Sequence, residues 1–171
     1  MKQYLILLLV STLSILGFPQ EKGPVDSSWK QTPRYTPTRI NNLVHTKLDV
    51  RFDYGKTSLL GKAWITLTPH FNPTASLTLD AKGMDIIQVS MVQPDKTMKN
   101  LEYSYDRKQL SIKLPRTYKK GENYTVYINY VSKPNEYEKE TGLDPMLGVK
   151  GLYFINPKGE EKNKPIQIWT Q

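Results

Sequence analysis

From residue 43 onward, apolar and polar side chains alternate with a period of two, and few other features of a chain restrict its fold so far. In Thr46, Leu48, Val50, Phe52 and Tyr54 one face is mainly apolar, while His45, Lys47, Asp49, Arg51 and Asp53 form the other. A helix would scatter these residues around its circumference, whereas a strand sorts them onto two faces. Gly55-Lys56-Thr57-Ser58 then supplies a turn, and residues 59–69 return. Ala63, Ile65 and Leu67 face one way, Trp64, Thr66 and Thr68 the other. Bulk on both faces predicts a central strand.

Short segments of the same kind recur at Ser76 to Leu79, Ile86 to Met91, Leu101 to Tyr105, Leu110 to Leu114, Asn123 to Val131, Leu152 to Ile155 and Ile166 to Thr170. Turn residues separate them at Asn72-Pro73, Lys82-Gly83, Pro94-Asp95-Lys96, Asp106-Arg107, Lys120-Gly121-Glu122 and Pro157-Lys158-Gly159. No stretch of helical period is long enough to compete. The expected fold is all-β: saddle-shaped or sandwich-like antiparallel sheets of about nine strands, with helix confined at most to a turn within residues 135–147. The expected core is Leu48, Val50, Phe52, Ile65, Leu67, Leu77, Leu79, Ile112, Leu114, Val126 and Ile128. The polar stretch Lys133 to Lys150 is the one long connection, read either as a functional loop or as a cover for an open sheet edge.

The expected organisation has three parts. Met1-Lys2 precedes an uncharged apolar run, Leu5 to Leu16, of signal-peptide length and too short to span a bilayer. Residues 1–19 are therefore expected to be a signal peptide, cut between Gly17 and Gln20, leaving no membrane span and an exported protein: periplasmic, cell-surface or secreted. Residues 20–42 carry Pro24, Pro33 and Pro37 among polar side chains and read as an extended arm or linker, with Trp29 and Tyr35 as possible anchors. Residues 43–171 form the β domain. Its last residues, Ile166 to Gln171, alternate like a strand, so the chain is expected to run on into further sequence.

Composition excludes several functions. The chain has no Cys, so neither a disulfide scaffold nor a thiol nucleophile is available. A formal charge of +8 is spread over hairpin tips such as Lys119-Lys120 and Lys158, Lys162 and Lys164, each interleaved with Gly or Glu, which argues against a nucleic-acid partner. His45 and His70 are the only histidines and lack the spacing of a zinc pair. Asp49 with Asp53, and Glu136 with Glu138 and Glu140, read as a solvated strand face and a charged loop rather than as acid–base pairs. No catalytic residue and no metal ligand is assigned to this chain.

The order of the segments carries a resemblance. Leu48-Asp49-Val50 with Phe52 and Tyr54 is followed by Leu60-Gly61-Lys62-Ala63 leading into Trp64-Ile65-Thr66-Leu67. Next come Leu77-Thr78-Leu79-Asp80-Ala81, Met84 to Val89, Leu110 to Leu114 with Lys120-Gly121-Glu122, and Tyr124 to Tyr130. Gly151-Leu152-Tyr153-Phe154 and Trp169-Thr170-Gln171 complete the series. From Ile40 to Gln171 this resembles the amino-terminal β domain of the aminopeptidase N family of zinc metallopeptidases (gluzincins), which includes leukotriene hydrolase.

The resemblance implies a saddle-shaped β domain preceding a thermolysin-like catalytic domain on the same polypeptide, with zinc held in that second domain and peptides as substrates. It implies that Thr170 and Gln171 approach the catalytic cleft, where Gln171 helps to bind the free amino end of the substrate. Read without the family, Gln171 is equally a strand residue whose amide points into water. An alternative for the whole chain is a free-standing secreted β-sandwich module binding carbohydrate or protein through Trp64, Tyr103, Tyr105 and Tyr124.

Overall fold

The computed structural model describes residues 38–142 and 151–170. Strand β1 (Asn41–Asp53) forms a hairpin with β2 (Ser58–Pro69). β3 (Thr74–Asp80) leaves for a second sheet, β4 (Met84–Val92) returns, and β5 (Met98–Asn100) and β6 (Tyr103–Tyr105) follow. β7 (Gln109–Tyr118), β8 (Tyr124–Ser132), helix α1 (Pro134–Thr141), β9 (Leu152–Ile155) and β10 (Gln167–Thr170) complete the order. Three antiparallel sheets result: β1-β2-β8-β4-β5, β3-β7-β6 and β10-β9. The all-β expectation holds, and β2 is central, paired with β1 on one side and β8 on the other.

The five-stranded and three-stranded sheets pack face to face. Leu67 from β2, Tyr124, Val126 and Ile128 from β8, and Val89 and Met91 from β4 meet Leu77, Leu110, Ile112, Leu114 and Tyr118. Ile65 and Leu79 are partly buried at the margin. Cross-strand register puts these residues on one face, as in Ile65 opposite Val126 and Leu67 opposite Tyr124. Burying a side chain of this size contributes about 1.5–3 kcal/mol, so this cluster dominates the stability of the domain.

Leu48, Val50 and Phe52 depart from the expectation. They share the inner face with Ala63, Gly61 and Leu59, opposite which they pair, yet they are 57%, 38% and 38% exposed. The period was right, and among the described residues that face lacks cover: the core formed with the three-stranded sheet draws on β2, β8 and β4 and includes no residue of β1.

Two further differences are local. Leu101 to Tyr105, expected as one strand, is a crossover: β5 pairs with β4, and β6 pairs with β7 in the other sheet. Between them Leu101 N–H still donates to Val89 and Lys113 N–H donates to Glu102, so the backbone is handed from one sheet to the other without losing partners. The region after Lys133 holds an eight-residue helix, more than the single turn expected. Pro134 suits its first turn, and Gly142 closes it in the left-handed region at φ 62°. Residues 143–150 of the long connection lie outside the described residues.

The turns are held by carboxylates. Asp95 accepts from the Thr97 hydroxyl and amide, Asp106 from the Gln109 and Lys108 amides, and Glu122 from the Lys119 amide. These bonds favour the charged form and hold all three below the usual carboxylate range.

Candidate functional site

The β9–β10 hairpin is built around Asn156, a buried residue at φ 45°. Its amide Nδ2 donates to the carbonyls of Glu161 and Lys164, and its Oδ1 accepts from the Glu161 amide at 3.1 Å. One side chain thus replaces the strand ladder across the loop between the two strands. The hairpin lays Leu152 and Phe154 against Leu59, with Tyr130 and Ile168 packed beside them. Phe154 also meets Phe52 and Tyr54 edge-on, with ring centroids 6.5 and 6.1 Å apart.

Between this hairpin and the uncovered face of β1 runs an apolar groove of about 430 Å³, within the size range of small-ligand sites. Leu48, Val50 and Phe52 of β1 line it together with Leu59, Met84, Leu152 and Tyr130. Gly61 leaves room for the Tyr130 ring: a Cβ there would stand 2.4 Å from it. Asp80, Lys82, Ser132 and Thr170 supply the polar groups of the lining. Burial pushes the Tyr130 phenol pKa up, so the ring presents a neutral hydroxyl at physiological pH.

The lining of the groove contains no histidine. His45 sits on exposed β1, and His70, beyond the end of β2, lies against Phe71 with ring centroids 3.9 Å apart. Among the described residues no three His, Cys, Asp or Glu side chains gather as a metal would require.

The other carboxylates are structural where their partners are visible. Asp53 Oδ1 accepts from the Lys56 amide at 3.0 Å. Glu136 and Glu140 belong to a network that fastens α1 to the sheets: Lys133 pairs with Asp85 and Glu136, and Arg107 with Glu140 and Asp85.

Thr170 lines the groove, opposite Leu152 in the hairpin register. Gln171, the residue expected to meet the substrate, lies outside the described residues, as do residues 1–37 with the expected signal peptide and most of the arm. The four aromatics of the alternative reading are dispersed. Trp64 packs on Tyr127 at 5.1 Å beneath Lys47, Tyr105 donates to the Ala81 carbonyl, and Tyr124 is buried and donates to Asn41. Only Tyr103 of the four is exposed.

A family model described as the Peptidase M1 N-terminal domain matches residues 41–171. Among solved structures, a two-domain M1 zinc metallopeptidase mutant bound to L-tryptophan is similar with a TM-score of 0.50 and 18% identity, over 57% of this chain and 22% of that one. An M1 zinc metallopeptidase from Deinococcus radiodurans gives the same score and identity over 57% and 21%. So does a mutant bound to a Tyr-Ser-Ala substrate. At this identity the likeness is one of fold, and the chain spans about a fifth of the length of these structures. No curated protein matches the chain.

Proposed function

The chain belongs to the Peptidase M1 N-terminal domain family, and from that premise we propose that it is the noncatalytic front domain of an exported zinc metallo-aminopeptidase. The family match over residues 41–171 carries this reading. Zinc chemistry, the activation of water and polarisation of the scissile carbonyl, belongs in this proposal to a catalytic domain on the same polypeptide. The β domain contributes cleft wall and orientation. An enzyme that removes residues from a free amino end has to recognise the α-ammonium and exclude longer extensions, and acceptors at the edge of a rigid sheet can do both.

Gln171 is the proposed acceptor, through its amide oxygen. Two features support the assignment: the residue before it is Thr170 of β10, and β10 is fixed through β9 to the Leu59 and Tyr130 cluster. Export is proposed from Met1-Lys2 and the apolar run Leu5 to Leu16. Among the described residues no helix is long and apolar enough to cross a membrane.

The test is Gln171→Ala in the full-length parent. An amide contact to the bound amino end acts in ground and transition states alike, so its loss should raise KM about five- to tenfold for a hydrogen bond worth about 1–1.5 kcal/mol, with kcat little changed. Zinc content should stay constant. Unaltered KM and kcat would place Gln171 away from the substrate.

A further inference from the structure

β10 has little of its own to fix where it lies. Among the described residues it pairs with β9 alone, from Gln167 opposite Ile155 to Thr170 opposite Leu152, and Ile168 is its one residue that is not exposed. The register of a hairpin is set by a buried face or by a short turn of defined type. Here the buried face is a single side chain, and residues 156–166 separate the two strands. Asn156 supplies the missing constraint. Its Nδ2 donates to the carbonyls of Glu161 and Lys164, and its Oδ1 accepts from the Glu161 amide. Its own carbonyl accepts from the Gly159 amide at 3.0 Å, and the Lys164 amide donates to the Glu161 carbonyl at 3.1 Å. The long loop is thereby folded into small turns tied to the residue that ends β9, and only Pro165 and Ile166 lie between the last tied position and β10.

We propose that Asn156 is a positioning residue for recognition of the substrate's amino end: it sets the register of β10, and through β10 the place of the residue that follows Thr170. This rests on the reading of Gln171 as the amino-end acceptor. Side chains alternate along a strand, so a slip of one residue would turn Ile168 away from Phe154 and Leu59, and Thr170 away from the groove. Whatever follows Thr170 would turn with it. A smaller shift is enough to matter, because an oriented contact tolerates little displacement.

The test uses the full-length parent and two inhibitors, leucine hydroxamate and the same hydroxamate lacking its α-amino group. They differ only in the group that the acceptor would hold. Asn156→Gly removes the side-chain bonds while keeping a residue at ease with φ 45°. It should weaken the amino-bearing inhibitor about three- to tenfold, leave the other unchanged, and raise KM with kcat little altered. Gln171→Ala should do the same, and the double variant should lose no more than either alone, since both remove one contact. Asn156→Asp keeps an acceptor for the Glu161 amide but has no donor for the two carbonyls, and should show the same selective loss; it stands in if the glycine variant does not fold. Equal weakening of both inhibitors in the Asn156 variants would leave Asn156 a residue of the fold only and overturn the proposal. So would an unchanged ratio in those variants while Gln171→Ala shifts it, or additive losses in the double variant. A ratio unchanged by Gln171→Ala would instead remove Gln171 as the acceptor: selective loss in the Asn156 variants alone would then keep the positioning role and move the acceptor elsewhere on the hairpin, and no selective loss in any variant would overturn both.

Discussion

At Gly83 two constraints meet in one residue. Its φ is 60°, in the left-handed region, and a Cβ there would stand 2.4 Å from Cβ of Tyr137, an atom that cannot move without moving α1. Gly83→Ala should cost about 2–4 kcal/mol in chemical denaturation, summing backbone strain and overpacking. Gly121, at φ 87° with open space around it, isolates the first contribution, and Gly121→Ala should cost only about 1–2 kcal/mol. Equal losses would show that α1 yields to the methyl. Tyr124 gives a pH test. Burial, with the nearby Tyr118 adding to it, pushes its phenol up to about 12 from 10.0. The folded state therefore keeps a proton that the unfolded chain releases above about pH 10, and stability falls as pH rises from there towards 12. Tyr124→Phe forfeits the bond to Asn41 but should show a shallower alkaline loss in denaturation midpoints; an identical slope would assign that loss to other groups.

At the scale of elements, alternation told which residues share a face but not which faces are covered. Ile112 and Val126 are 1% and 0% exposed, as their period required, whereas Leu48 obeys the same period and is 57% exposed. Cover depends on how wide the opposing sheet is, and that is set by the crossover at Leu101-Glu102, where no turn residue marks the change of sheet. Ile112→Ala should cost about 2–5 kcal/mol and Leu48→Ala less than about 1 kcal/mol. Similar losses at the two positions would mean that the β1 face is buried in solution. The groove was hidden from sequence for the same reason, since it exists only where β1 overhangs and the β9–β10 hairpin folds against it. Asn156 carried a weak signal, an Asn before Pro157 with Gly159 close behind, which marks a loop without revealing the side chain that braces it. Helix α1 was under-read because its apolar contribution is small, Pro134 and Tyr137 being its buried side chains among charges whose partners are Arg107 in the β6–β7 turn and Lys133 just before the helix.

The order of segments, rather than any one of them, made the family legible across the molecule: hairpin, alternating short strands, Gly-Leu-Tyr-Phe and the terminal Trp-Thr-Gln each have many hosts, and their succession has few. Chemistry was argued from the sequence mainly by exclusion, through two histidines without a zinc spacing and a chain without Cys. The structure adds a groove whose lining is mostly apolar. The central proposal is that this chain is the noncatalytic front domain of an aminopeptidase. Its most direct test is to titrate the purified chain with zinc and assay it on amino-acid p-nitroanilides. The account predicts no stoichiometric zinc and no hydrolysis, since the described residues offer neither a gathered ligand set nor a base poised on water. Tight one-to-one zinc binding that is abolished by His45→Ala or His70→Ala and accompanied by hydrolysis would contradict it.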